Sequence, residues 1–127
     1  FGIECISRGV KFVTFVENYK RILPILKKNL ANLNLASNYL IIEKDIFSNL
    51  NFKKINKQFD IIFLDPPYKE KELNNVLSSL ISEKILKQDG IIILHRHRKQ
   101  TDSLPSQIKI IEEKKYGISK ILFCNIS

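Results

Sequence analysis

An open parallel α/β sheet is the fold class this sequence predicts. Short β-branched and aromatic runs alternate with segments apolar at helical spacing. One run, Ile61-Ile62-Phe63-Leu64, is apolar at successive positions rather than every second one, as a strand covered on both faces requires. The chain has 127 residues, 44% hydrophobic and 27% charged, which fits one globular domain over residues 1–127. That composition excludes disorder. The longest aliphatic stretches, such as Ile91–Leu94, fall far short of the ~20 residues a bilayer span needs.

The elements follow in order. Lys11–Val16 reads as a strand. Tyr19–Leu35 reads as a helix whose apolar face is Ile22, Leu23, Ile25, Leu26, Leu30 and Leu33. Pro24 lacks the N–H an interior turn needs, so the helix is expected to kink there or to begin near it. Tyr39–Glu43 is the next strand, and the polar stretch Ser48–Gln58 reads as loop with a short turn of helix. Asp60–Asp65 is a strand stopped by Pro66-Pro67. In Glu70–Leu86, Leu73, Val76, Leu77, Leu80 and Ile81 form a clean helical stripe. Gly90 precedes a buried strand, Ile91–Leu94, and His97–Ser106 reads as a loop. Gln107–Lys114 and Ile118–Asn125 close the chain as a hairpin around Tyr116-Gly117.

Lys and Arg number 21 against 13 Asp and Glu, a formal charge of +8. Two readings of that excess stand: a polyanionic partner such as nucleic acid, or the Lys-, Ile- and Asn-rich drift of an AT-rich genome. Cys5 and Cys124 offer neither a disulfide framework nor metal spacing, and read as buried thiols of a reducing cytosol. The opening residues, Phe1-Gly2-Ile3-Glu4-Cys5, carry no basic leader, so no secretory signal is expected. The sequence contains no Met, position 1 included, and is read as part of a longer chain.

Ligands of parallel α/β sheets bind at the carboxyl ends of the strands. Three acids fall at such ends: Glu17 after the first strand, Asp45 after the second and Asp65 closing the third. Gly2 opens a helical stretch, Gly2–Arg8. As the last glycine of a phosphate-type turn it would set Glu17 at the distance of an acid that holds ribose hydroxyls; the other reading is close packing alone.

The sharpest signal is Asp65-Pro66-Pro67-Tyr68. Two prolines fix φ twice and remove two donors, so the corner is stiff. It sets the Asp65 carboxylate and the Pro66 carbonyl as paired acceptors for an –NH₂ group, with Tyr68 to stack on the flat ring that bears it. The plainer reading is a diproline strand stop with solvated neighbours.

Asp-Pro-Pro-Tyr after such a strand resembles the catalytic motif of class I S-adenosylmethionine-dependent amino-methyltransferases. Gly2–Val10, Phe15-Val16-Glu17, Asn29, Asp45-Ile46-Phe47, Phe59–Tyr68 and Tyr116-Gly117 are similar to the RsmD family. Its members are bacterial enzymes that methylate N2 of a guanine in 16S ribosomal RNA of the small subunit. The resemblance covers essentially the whole chain and implies a Rossmann-like class I methyltransferase sheet. That sheet is mostly parallel with a reversed C-terminal strand, here without its first strand. It implies S-adenosyl-L-methionine as cofactor, held by Glu17 at the ribose and by Asp45 and the Ile46 N–H at the adenine, with Gly2 in the turn. Asp65, Pro66, Pro67 and Tyr68 would form the catalytic cradle. A cytoplasmic monomer acting on ribosomal RNA or the small subunit, with no metal and no membrane, is expected.

One segment departs from the family. His95-Arg96-His97-Arg98-Lys99 stands where an acid is expected, and reads as a solvated basic loop able to meet RNA phosphates. Lys53, Lys54, Lys57, Lys69 and Lys71 flank the cradle and offer further phosphate contacts or a plain solvated surface. Two other functions share the cradle or the fold: adenine-N6 DNA methylation, and RNA binding without catalysis.

Overall fold

The computed structural model describes residues 12–16, 23–31, 39–42, 57–64 and 70–126. The chain divides into two compact units, Phe1–Leu50 and Asn51–Ser127.

In the first unit, β1 (Val13–Val16) and β2 (Tyr39–Ile42) pair in parallel, from Val13 opposite Tyr39 to Val16 opposite Ile42. Helix α1 (Leu23–Ala31) lies between them in sequence, as a parallel crossover requires. Pro24 stands in the first turn of the described helix, where a missing N–H breaks no intrahelical bond. Leu30 is buried, and Leu23 and Leu26 are half-buried on the same stripe. Ile25, counted in the apolar face from the sequence, is instead exposed.

The second unit holds a four-stranded sheet in the order β3-β4-β6-β5, built from β3 (Phe59–Leu64), β4 (Leu86–His97), β5 (Ile108–Tyr116) and β6 (Ser119–Ile126). β3 and β4 are parallel, and β6 runs antiparallel to both of its neighbours. The last strand is therefore the reversed one, as expected. Ile62 and Leu64 share a face with Ile92 and Leu94, and these with Cys124 and Leu122. Leu64, Ile92, Leu94, Leu122 and Cys124 are buried on that face. Helix α2 (Glu70–Ser82) buries Leu73, Val76, Leu77 and Leu80, so the core of this unit is their stripe and the sheet face together. Ile61 is 49% exposed, so the double cover expected of β3 is incomplete at its start.

Three boundaries differ from the sequence reading. Helix α2 stops at Ser82 rather than Leu86, because Lys84 takes a left-handed conformation (φ 54°). The Lys84 N–H then donates to the Ile81 carbonyl and the Ile85 N–H to the Leu80 carbonyl, both at 3.2 Å. That pair of bonds is a Schellman cap, with Ile85 and Leu80 both buried at its base. Strand β4 begins at Leu86, well before Ile91. Residues 87–90 bulge opposite Asp60 alone, since Phe59 pairs with Leu86 and Ile61 with Ile91. At its other end β4 runs through His97, so three residues of the expected basic loop lie on a strand. The final hairpin is a two-residue turn, Gly117-Ile118, with Tyr116 opposite Ser119. Gly117 has φ +54°, the conformation a type II′ turn places at its first central position.

Candidate functional site

Two strand ends frame the cofactor candidates. Val16 ends β1 directly before Glu17, and Ile42 ends β2 three residues before Asp45. Because Val16 pairs with Ile42 in a parallel register, the two strands finish level with each other. In the second unit, β3 ends at Leu64, which is buried and paired with Leu94. The next residue is Asp65. Gly2, Glu17, Asp45, Ile46, Asp65, Pro66, Pro67 and Tyr68 themselves lie outside the described residues, as does Cys5.

What the second unit does place at its carboxyl edge is charged. Arg96 continues the buried face of β4 two residues beyond Leu94. Its guanidinium forks onto Asp102: Nε donates to Oδ2 and Nη2 to Oδ1, both at 2.8 Å. The two side chains are only 4% and 2% exposed. The reading of residues 95–99 as a solvated loop is thus corrected at Arg96. A planar five-donor fork matched two-for-two by a carboxylate can be buried, whereas a lone charge cannot. Asp102 is a partner the sequence reading missed.

Further bonds fix the segment after β4. The Lys120 ammonium donates to the Gln100 carbonyl, and the Gln100 N–H donates to the His97 carbonyl at 2.9 Å. The Arg98 N–H donates to the Ile118 carbonyl at 2.6 Å, and Arg98 Nη1 reaches the Gly117 carbonyl at 3.3 Å. His97, Arg98 and Lys99 are exposed, in keeping with the expected solvated cations. Of the flanking lysines, Lys57 is exposed; the side chains of Lys53, Lys54, Lys69 and Lys71 lie outside the described residues. Cys124 is fully buried, and burial pushes its thiol up from 9.0 to about 11, so it is an inert core residue. Among the described residues no helix is long and apolar enough to cross a membrane.

Comparison with solved structures defines the class. The fold matches that of an Escherichia coli protein described as a presumptive methyltransferase, with a TM-score of 0.84 at 24% identity, covering 98% of this chain and 69% of that one. It also matches a Haemophilus influenzae protein described as a presumptive methylase, with a TM-score of 0.79 at 29% identity, covering 97% and 77%. The architecture is a Rossmann-like methyltransferase fold.

Residues 1–125 match the model of the family called Conserved hypothetical protein 95, and the chain belongs to that family, the RsmD family its motifs resemble. A relative from Buchnera aphidicola, named ribosomal RNA small subunit methyltransferase D, is 34% identical over 113 residues, or 89% of this chain and 58% of its own length. A Haemophilus influenzae relative of the same name is 30% identical over 118 residues, covering 92% and 61%. The chain thus spans about three-fifths of the length of these relatives.

Proposed function

We propose that this chain is the greater part of an S-adenosyl-L-methionine-dependent methyltransferase acting on the exocyclic N2 amine of a guanine in 16S ribosomal RNA. The observation that carries the reading is the position of Asp65-Pro66-Pro67-Tyr68: it follows directly on Leu64, the buried carboxyl end of a parallel strand. The names of the relatives support the substrate, and the fold supports the cofactor.

The residues fit that cofactor. β1 and β2 end level at Val16 and Ile42, and Glu17 and Asp45 follow these ends by one and three residues in the sequence. Glu17 offers two oxygens to vicinal ribose hydroxyls, Asp45 accepts from the adenine amine beside the Ile46 N–H, and Gly2 lets the backbone approach closely. When bound, S-adenosyl-L-methionine supplies an electrophilic methyl group on a sulfonium.

A guanine N2 lone pair is delocalised into the ring and is a poor nucleophile. The Asp65 carboxylate and the Pro66 carbonyl accept its two N–H bonds, which favours a pyramidal nitrogen and localises the pair. Pro67 stiffens the corner and Tyr68 stacks on the base, so the chain's contribution is position and electrostatics. Proton loss to Asp65 or to water completes the transfer. A paired guanine cannot enter such a cradle, so the target is unpaired or flipped out, at a cost of a few kcal/mol. The substrate puts the protein with ribosomes in the bacterial cytoplasm.

The test uses the full-length protein. Asp65→Ala is expected to abolish methyl transfer to unmethylated small subunits while S-adenosylmethionine binding, followed by calorimetry, stays largely intact. Retained transfer removes Asp65 from the mechanism. Transfer to DNA but not to ribosomal subunits overturns the substrate.

A further inference from the structure

The β5–β6 hairpin tip and the turn after β4 are one surface. Across the three strands His97 pairs with Ser119 and Ser119 with Tyr116, so these residues form one row on one face. The row of the opposite face is Arg96, Lys120 and Lys115. The two Arg98 bonds to the Gly117 and Ile118 carbonyls stitch the turn to the hairpin, so the tip is held from two sides.

Two features of this tip are unusual for a surface with no partner. Ile118 is 75% exposed and Tyr116 57% exposed, side by side at the end of the hairpin. Singly exposed apolar residues are ordinary, but here they are set among cations. The local acids are taken up within the fold. Asp102 is held by Arg96, Glu112 lies 3.7 Å from Lys114, and Glu113 lies 4.0 Å from Lys120. Arg98, Lys99 and Lys115 are exposed and, among the described residues, none of the three makes an ion pair. Tyr116 and Lys115 stand on opposite faces of the tip, so exposed cations lie to both sides of a flat aromatic ring at the sheet's edge, which suits a phosphate backbone with an unstacked base.

The position matters as much as the chemistry. β3 and β4 are parallel, with Leu64 opposite Leu94, and β4 continues to His97. Three further residues carry it about 10 Å past that level. The platform therefore rises at the same edge of the sheet at which β3 gives way to Asp65-Pro66-Pro67-Tyr68.

We propose that this platform, made by Arg98, Lys99, Lys115, Tyr116 and Ile118, is a docking surface for the RNA that flanks the target base. Arg98, Lys99 and Lys115 meet phosphates and Tyr116 stacks on a neighbouring unpaired base. Arg96 has no part in it, because its charge is spent on Asp102. The proposal rests on the RNA-methyltransferase reading above, but it is tested by binding rather than by catalysis.

In the full-length protein, the variant Lys99→Glu/Lys115→Glu should weaken binding to deproteinised, unmethylated small-subunit ribosomal RNA by about tenfold near 0.1 M salt. The slope of log affinity against log salt should fall by about 1.5. Tyr116→Ala should lose about fivefold or more with the slope unchanged, since stacking releases no counterions. Lys109→Glu, a single charge reversal at the far end of β5, should stay within about twofold. Should the double reversal fold poorly, Lys99→Gln/Lys115→Gln removes the charges more gently and should still lose about threefold. An RNA affinity within about twofold of wild type in a folded double variant overturns the platform. So does a change in the sedimentation of the free protein in place of a change in RNA binding, which would mark the tip as a contact between copies of this chain. Absence of methyl transfer by the wild-type protein overturns the proposed function instead, and leaves the platform to be judged on RNA affinity alone.

Discussion

Arg96 and Asp102 form a two-point ion pair, Nε to Oδ2 and Nη2 to Oδ1 at 2.8 Å each, in which both side chains are almost wholly withdrawn from solvent. The pair joins the end of β4 to the loop that leads to β5. It ties residue 102 of that loop back onto the strand end. The ion pair is therefore a structural fastening beside a surface of exposed cations, and the two arginines, buried Arg96 and exposed Arg98, do different work.

Breaking that fastening from one side leaves a buried charge with no partner. Asp102→Ala is expected to cost about 3–5 kcal/mol of folding stability. The double variant Arg96→Met/Asp102→Leu should cost far less than the sum of the two single changes, because both desolvation penalties go together. Urea unfolding of wild type, Arg96→Met, Asp102→Leu and the double variant checks this. A single-variant loss below about 1 kcal/mol would show that the pair is hydrated in solution.

Lys84 caps helix α2 at φ 54° with an exposed side chain. An L-residue with a Cβ pays a steric cost there that glycine avoids. Lys84→Gly should stabilise the protein by about 1 kcal/mol, since the cap bonds and the Gln58 Nε2 bond to the Lys84 carbonyl at 3.0 Å use only the backbone of residue 84. The change should appear as a higher urea midpoint at unchanged slope.

The same cap explains where the sequence could and could not be read. The stripe Leu73, Val76, Leu77, Leu80 is legible because 3.6-residue spacing leaves few alternatives. The stop after Ser82 is not, because a Lys occupies the left-handed position where Gly or Asn would have signalled it, and Ile85 and Leu86 prolong the apolar pattern. The run His95–Lys99 reads as loop because five basic or titratable residues in a row dominate any period. Yet Ile92, Leu94 and Arg96 already alternate at strand spacing. Asp102 carries no such signal: nothing local says that a carboxylate six residues on, across a turn, folds back onto Arg96. The candidate site is legible as a motif, since Pro66-Pro67 restricts the chain by covalent geometry alone.

Gly90 sits where a side chain has no room. A Cβ there would fall 2.6 Å from Leu86 Cδ1 and 2.8 Å from the Lys87 carbonyl oxygen. The oxygen belongs to the bulge backbone and cannot swing aside as a side chain would. Gly90→Ala should therefore destabilise by about 1–3 kcal/mol, by forcing the bulge or Leu86 to shift. Asp89→Gly, at φ 64°, should act in the opposite direction. Thermal denaturation of the two variants side by side gives both signs in one experiment.

Cys124 links the core to alkaline stability. Its thiol ionises near pH 9 when the chain is unfolded and near 11 when buried. Burial favours the neutral thiol, so this contribution is fully present below pH 9 and is lost as the pH rises toward 11. Between those values the unfolded chain binds fewer protons than the native one, and stability falls by at most about 1.4 kcal/mol per pH unit. Cys124→Ala removes that slope while leaving the lysines and tyrosines that titrate in the same range. The expected observation is that the stability difference between wild type and Cys124→Ala is constant from pH 7 to about 8.5 and shrinks above pH 9. A difference that stays constant through pH 10.5 would mean that water reaches the thiol in the native protein. Rapid modification of Cys124 by a thiol reagent at neutral pH would then accompany it.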